Sequence, residues 1–205
     1  GEATVVNGDK ISIQLHSGDD YSQESSGKLK IGSLNREFIV ATPPNPWQRK
    51  AKYSDLPVDD PTGFAIGDKI YVGTGFVYEN STTDFFEYDP SSDIWTKKAD
   101  FPGGRRYAAI GFSIAGKGYL GMGYAGENGD KFYEYNPESD AWRKLADFPG
   151  AARGDMVSFT IDGNGYVGLG SEDDSHTEFW RYDPLNDTWT QVNSFPHEIA
   201  LTYAS

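Results

Sequence analysis

The chain has 205 residues, is 37% apolar and 15% aromatic, carries 24 glycines and no cysteine, and has a formal net charge of -13. That charge opposes binding to nucleic acid and to anionic membrane surfaces, and the lack of cysteine excludes disulfides, thiolate metal sites and a cysteine nucleophile. No run approaches the ~18 consecutive apolar residues of a membrane span, so membrane insertion is not expected, and the glycine and aromatic content suits short strands with tight turns.

Tryptophan returns every 47 or 48 residues, at Trp47, Trp95, Trp142 and Trp189, and so regular a period marks a repeat array. The first unit, about residues 1–52, is degenerate and aligns when read backward from Trp47. Phe38 then falls on Phe86, Val40 on Tyr88 and Asn45 on Asp93, while Asn7-Gly8-Asp9-Lys10 resembles Ile66-Gly67-Asp68-Lys69. Lys10 to Trp47 spans 37 positions against 26 from Lys69 to Trp95, and the excess of 11 is placed in a loop over Ser17 to Ser33.

Three fuller units follow, about residues 53–102, 103–149 and 150–196. They share Tyr71, Tyr119 and Tyr166 before a Gly-x-Gly at Gly73, Gly121 and Gly168. Tyr88, Tyr135 and Tyr182 precede Asp89-Pro90, Asn136-Pro137 and Asp183-Pro184, and the units end on Phe101-Pro102, Phe148-Pro149 and Phe195-Pro196. In the middle unit, Tyr107 to Ile114 is predicted as an inner strand and Ala115 to Lys117 as a turn. Gly118 to Gly123 is a second strand, Tyr124 to Asp130 a loop, Lys131 to Tyr135 a third strand, Asn136 to Asp140 a turn and Ala141 to Leu145 a fourth strand. After Pro196, His197 to Ser205 reads as another inner strand, and Glu2 to Val6 resembles the remainder of such a strand.

Four antiparallel strands per unit of ~45 residues describe a β-propeller blade. The chain resembles the kelch-repeat family, whose blades carry paired glycines after strand two, an aromatic-xx-Tyr-Asp-Pro stretch and a strand-four tryptophan; here the glycine pair is Gly-x-Gly. The resemblance implies an all-β propeller of four kelch-like blades over residues 1–205. Three arrangements stay open: closure within one chain by the last strand, membership of a larger propeller, or closure between two chains as a homodimer.

In such blades the loops between strands two and three, and those leading into strand one, share one face, so Ser17 to Ser33, Phe76 to Asp84, Tyr124 to Asp130 and Ser171 to Thr177 are the candidate binding loops. Arg106 and Arg153 each stand four residues after a unit-ending proline, with Arg105 adjacent. They are candidates to hold a carboxylate, or to stitch neighbouring units together; Ala200 stands at the next such position. Tyr78, Phe76 and Tyr124 are candidates for stacking on a ligand or for packing between units, and Glu127, Asp173 and His176 for polar contact. The acidic loops match no calcium-loop spacing, and His16, His176 and His197 show no zinc spacing. No metal, no cofactor and no catalytic residue is therefore assigned.

The expected function is a non-catalytic, extracytoplasmic binding propeller, periplasmic or at a bacterial cell surface, that recognises a protein or glycan through its loop face. The cytoplasm is also compatible with the composition. The alternative is an enzyme resembling the bacterial sialic acid mutarotases, with Glu127 and Arg153 as the acid-base and carboxylate-binding pair. Galactose-oxidase-type copper chemistry is excluded, because its tyrosine is cross-linked to a cysteine.

Overall fold

The computed structural model describes residues 49–53, 57–125, 128–171, 176–194 and 196, together with the backbone of five short strands among residues 4–39. Trp47, Glu127, Asp173 and the strand expected over 197–205 lie outside the described residues. Two compact units form, Gly1–Arg49 and Lys50–Ser205.

In the first unit, β1 (Thr4–Val6) pairs antiparallel with β2 (Lys10–Ser12). A separate three-stranded sheet joins β3 (Tyr21–Gln23), β4 (Lys28–Ile31) and β5 (Phe38–Ile39) in that order. The segment Ser17 to Ser33 is thus not the plain loop expected. Lys28-Leu29-Lys30-Ile31 alternates polar and apolar residues as a strand does, and β4 pairs with both β3 and β5.

The second unit holds three four-stranded antiparallel sheets. Sheet one joins β6 (Thr62–Ile66), β7 (Lys69–Gly73), β10 (Phe85–Asp89) and β11 (Ile94–Lys97), with a small hairpin, β8 (Phe76–Val77) and β9 (Asn80–Ser81), between its second and third strands. Sheet two is β12 (Ile110–Ile114), β13 (Lys117–Gly121), β14 (Phe132–Asn136) and β15 (Ala141–Lys144). Sheet three is β16 (Val157–Ile161), β17 (Asn164–Gly168), β18 (Phe179–Asp183) and β19 (Thr188–Val192). Strand β12 starts three residues later than expected, because Ala108 adopts φ 49° and Tyr107 makes only an isolated bridge to Tyr124.

The Gly-x-Gly motif has a local cause. Met122 takes φ 53° and Gly123 φ 87°, so the chain leaves β13 in a left-handed turn that a second glycine accommodates. A Cβ at Gly123 would lie 2.6 Å from the Tyr107 carbonyl oxygen. Instead the Gly123 N–H donates to the Arg153 carbonyl at 3.0 Å, as Gly75 donates to the Arg106 carbonyl at 2.9 Å. Each such turn therefore ties one sheet to the next.

The sheets pack face to face over aromatic cores. Phe64, Tyr71 and Phe85 of sheet one bury with Leu120 and Tyr135 of sheet two, and Phe112, Tyr119 and Phe132 of sheet two bury with Val167 and Tyr182 of sheet three. Fully burying one such ring contributes roughly 1.5–3 kcal/mol. Around each core lies a repeated clasp. The Trp142 indole N–H donates to the Ala99 carbonyl at 2.9 Å, and the Ala99 N–H donates to the Asp140 carboxylate at 3.0 Å. Trp189 and Asp187 hold Ala146 in the same way at 3.1 and 3.0 Å, and Trp95 and Asp93 hold Ala51 at 3.1 and 2.8 Å. The aspartates are fixed by hydroxyls of Tyr88, Tyr135 and Tyr182 at 2.5, 2.7 and 2.7 Å. The periodic Tyr, Asp and Trp of sheets two and three each join a sheet to the one before it, and those of sheet one hold Ala51.

Candidate functional site at the loop end

The segments leading into each first strand meet the loops after each second strand at one end of the sheets. Isolated bridges Asp59 to Phe76, Thr82 to Arg106, Tyr107 to Tyr124 and Gly154 to Ser171 mark that meeting. A backbone ladder crosses it as well: Asp155 N–H donates to the Ala108 carbonyl at 3.3 Å, and Ala108 N–H to the Asp60 carbonyl at 3.1 Å.

A row of half-buried aromatics runs over this end. Phe76 meets Tyr107 at 5.2 Å, Tyr107 meets Tyr124 at 5.0 Å, and the Tyr124 ring lies on the backbone of Gly154. The Tyr124 hydroxyl bonds the Ser171 carbonyl at 2.9 Å and the Asp155 carboxylate at 3.1 Å. Burial is the main cause that raises its pKa. Beside the row, Tyr78 is 69% exposed at the tip of the β8–β9 hairpin, in a left-handed conformation with φ 55°. Arg105 is exposed and donates to the Ser81 carbonyl of the same hairpin at 2.7 Å. Tyr78 and Arg105 are thus brought to one structural element.

Arg106 and Arg153 are buried, at 0% and 1% exposure. Arg106 gathers backbone carbonyls: those of Met122 at 2.8 Å, Asn128 at 3.2 Å, Lys131 and Gly104 at 3.4 Å, and Gly103. Its guanidinium also lies 4.6 Å from the Phe101 ring centroid. Burial pulls its pKa down to about 10, so it stays charged at neutral pH. Such a guanidinium meets a carboxylate ligand only by giving up carbonyls.

Arg153 is arranged differently. It donates to the carbonyls of Leu169 at 2.6 Å and Ala151 at 3.0 Å, and pairs with the Glu178 carboxylate at 3.0 Å. The same carboxylate oxygen lies 3.3 Å from His176 Nδ1. Burial pushes the Glu178 carboxyl up, but a backbone N–H bond and the Arg153 and His176 charges together hold it below its ordinary value. His176, Glu178 and Arg153 therefore form a polar chain from half-exposed surface to buried interior.

Arg153 and His176 are brought together by Glu178, while Tyr124 reaches the neighbouring Ser171. Glu127 and Asp173 lie outside the described residues. Glu178, Tyr107 and Asp155 were not singled out from sequence. Glu178 had one signal: it stands where sheets one and two carry Asp84 and Lys131.

No protein-family model matches the chain, and no curated protein matches it. Among solved structures it is similar to the one titled "Structure of YjhT", at 22% identity and a TM-score of 0.61, over 70% of this chain and 52% of that one. The chain spans about half the length of that structure. This likeness and the three four-stranded antiparallel sheets show an all-β, propeller-like fold.

Proposed function

We propose that the chain is a kelch-type binding propeller, with its four-stranded sheets as blades, and that it recognises a neutral glycan at the loop end. The observation that carries this reading is the aromatic row Phe76, Tyr107 and Tyr124, with Tyr78 and Arg105 on one side and the exposed Asp155 on the other. Half-exposed rings stack on the apolar faces of sugars, and flanking carboxylates and guanidinium bond hydroxyls. The net charge of -13 favours a neutral ligand over an acidic one. Titration calorimetry with oligomers of glucose, xylose, mannose and N-acetylglucosamine tests it. One class binds, and the double variant Tyr78→Ala, Arg105→Ala binds about 30-fold more weakly or worse, as loss of one aromatic contact and one charged bond, together ~2 kcal/mol or more, predicts. Failure of every neutral oligomer to bind counts against the reading.

A second reading, a sugar-acid mutarotase of the sialic acid type, is favoured by the His176–Glu178 pair beside Arg153. A histidine oriented by a carboxylate is a workable acid or base. Accelerated anomer exchange of sialic acid by NMR, lost in His176→Gln, supports this reading; unchanged exchange removes it.

A further inference from the structure

Sheets two and three each hold a buried arginine over a phenylalanine, but their outer donors are filled differently. Arg106 Nη2 donates to the Gly103 and Asn128 carbonyls. In sheet three the counterpart of Gly103 is Gly150, and there the Trp180 indole takes the guanidinium's place. A Cβ at Gly150 would lie 3.2 Å from Trp180 Nε1, as one at Gly103 would lie 2.9 Å from Arg106 Nη2. Sheets one and two carry Phe86 and Tyr133 at that position, neither with a ring N–H. Phe148 borders both donors of sheet three, its centroid 5.7 Å from the Arg153 guanidinium carbon and 5.8 Å from the Trp180 ring. Arg153 Nη2 and Trp180 Nε1 are buried and have no hydrogen-bond partner among the described residues; Ser175, the counterpart of Asn128, lies outside them. A buried donor without an acceptor is costly, so two of them around one phenylalanine mark a place built for an acceptor.

The neighbours set the charge of that acceptor. Arg153 already pairs with Glu178 at 3.0 Å, so an incoming carboxylate would meet a like charge on a guanidinium already shared, in a chain of net charge -13. A neutral carbonyl oxygen meets no such repulsion, and its two lone pairs can take both donors. The donors also border the aromatic row, because the Gly123 N–H donates to the Arg153 carbonyl at 3.0 Å and the Tyr124 ring covers Gly154, the next residue. We propose that Arg153 Nη2 and Trp180 Nε1 form a subsite for the amide carbonyl of an acetamido group, so that the neutral glycan met at the loop end is a chain of N-acetylhexosamines. This rests on the glycan reading above and narrows it to one class of sugar.

The test uses the full chain and two trimers of the same linkage, one of N-acetylglucosamine and one of glucose, with affinities from calorimetry and the Trp180 indole N–H followed by NMR. The acetamido trimer is expected to bind at least about tenfold more tightly, as one neutral and one charge-assisted hydrogen bond imply. It should also shift the indole signal saturably, and the glucose trimer should not. Trp180→Phe, which installs the residue of sheet one, keeps a ring against Phe148 and should cut the ratio of the two affinities about threefold or more. Equal binding of the two trimers with the indole signal unmoved overturns the subsite and leaves the glycan reading standing. So does an indole proton that is protected from exchange in the sugar-free chain and unmoved by either sugar, because the chain's own loop or a buried water then fills the place. Failure of both trimers to bind removes the subsite, and failure of the whole neutral panel removes the glycan reading as well.

Discussion

Arg106 and Arg153 occupy equivalent places in sheets two and three, yet one gathers carbonyls and the other joins a carboxylate and a histidine. The same two sheets differ on their inner strands, Phe112 being buried and Phe159 open. Both keep the Tyr-Asp-Trp clasp unchanged. Residues that recur hold sheet to sheet, and the departures fall at the loop end and on the inner strand of sheet three.

Breaking a recurring joint should cost most, and equally in both sheets. Trp142→Ala removes the bond to Ala99 and ring contacts with Phe85 and Phe101 at 4.9 and 5.2 Å. Trp189→Ala removes the counterpart with Phe132 and Phe148 at 5.1 and 5.3 Å. Each is expected to lower unfolding free energy by roughly 3–5 kcal/mol in urea titrations; a large inequality would mean that the two joints are not equivalent.

The inner strands should separate the sheets. Phe112→Ala is expected to cost about 3 kcal/mol or more and Phe159→Ala about 1 kcal/mol, measured in the same way. Equal costs would show that the face of sheet three is covered in solution.

The arginines sharpen the contrast further. Arg106→Met strands several buried carbonyls and should destabilise by about 2–3 kcal/mol. Glu178→Gln keeps the shape of sheet three and an acceptor for Arg153 while removing the charge, so its cost should be smaller, about 1 kcal/mol, the difference between a charge-assisted and a neutral hydrogen bond. Thermal melts of the two variants check the order.

Acid should weaken the clasps by the least. Burial raises the pKa of Asp140, but the Ala99 N–H and the Tyr135 hydroxyl bring it below its ordinary value, and the Ala51 N–H and the Tyr88 hydroxyl do the same for Asp93. A carboxylate with a lowered native pKa contributes stability that is fully present above its unfolded value, near ~4, and is lost as pH falls through the native value. Melting temperature should therefore hold from neutral pH to about 5 and drop below about 4, with Asp140→Asn flattening part of the drop.

The framework was legible in sequence because the clasp and the Gly-x-Gly turn recur with the period. Trp95, Trp142 and Trp189 stood out by their spacing, and their partners Asp93, Asp140 and Asp187 share it. Other features left little trace. Ala51, Ala99 and Ala146 act through backbone atoms, so their side chains announce nothing. Arginine reads as a surface residue, and the burial of Arg106 depends on carbonyls that converge only after folding. The β3–β4 pairing left little trace because the first unit departs from the 47-residue repeat.

NMR chemical-shift mapping of the tyrosine rings during titration with the neutral oligosaccharide panel bears most directly on binding at the loop end. The expected result is saturable shifts of Tyr78, Tyr107 and Tyr124 with Tyr88, Tyr135 and Tyr182 unmoved. Shifts confined to the clasp tyrosines, or none with any sugar, would contradict it.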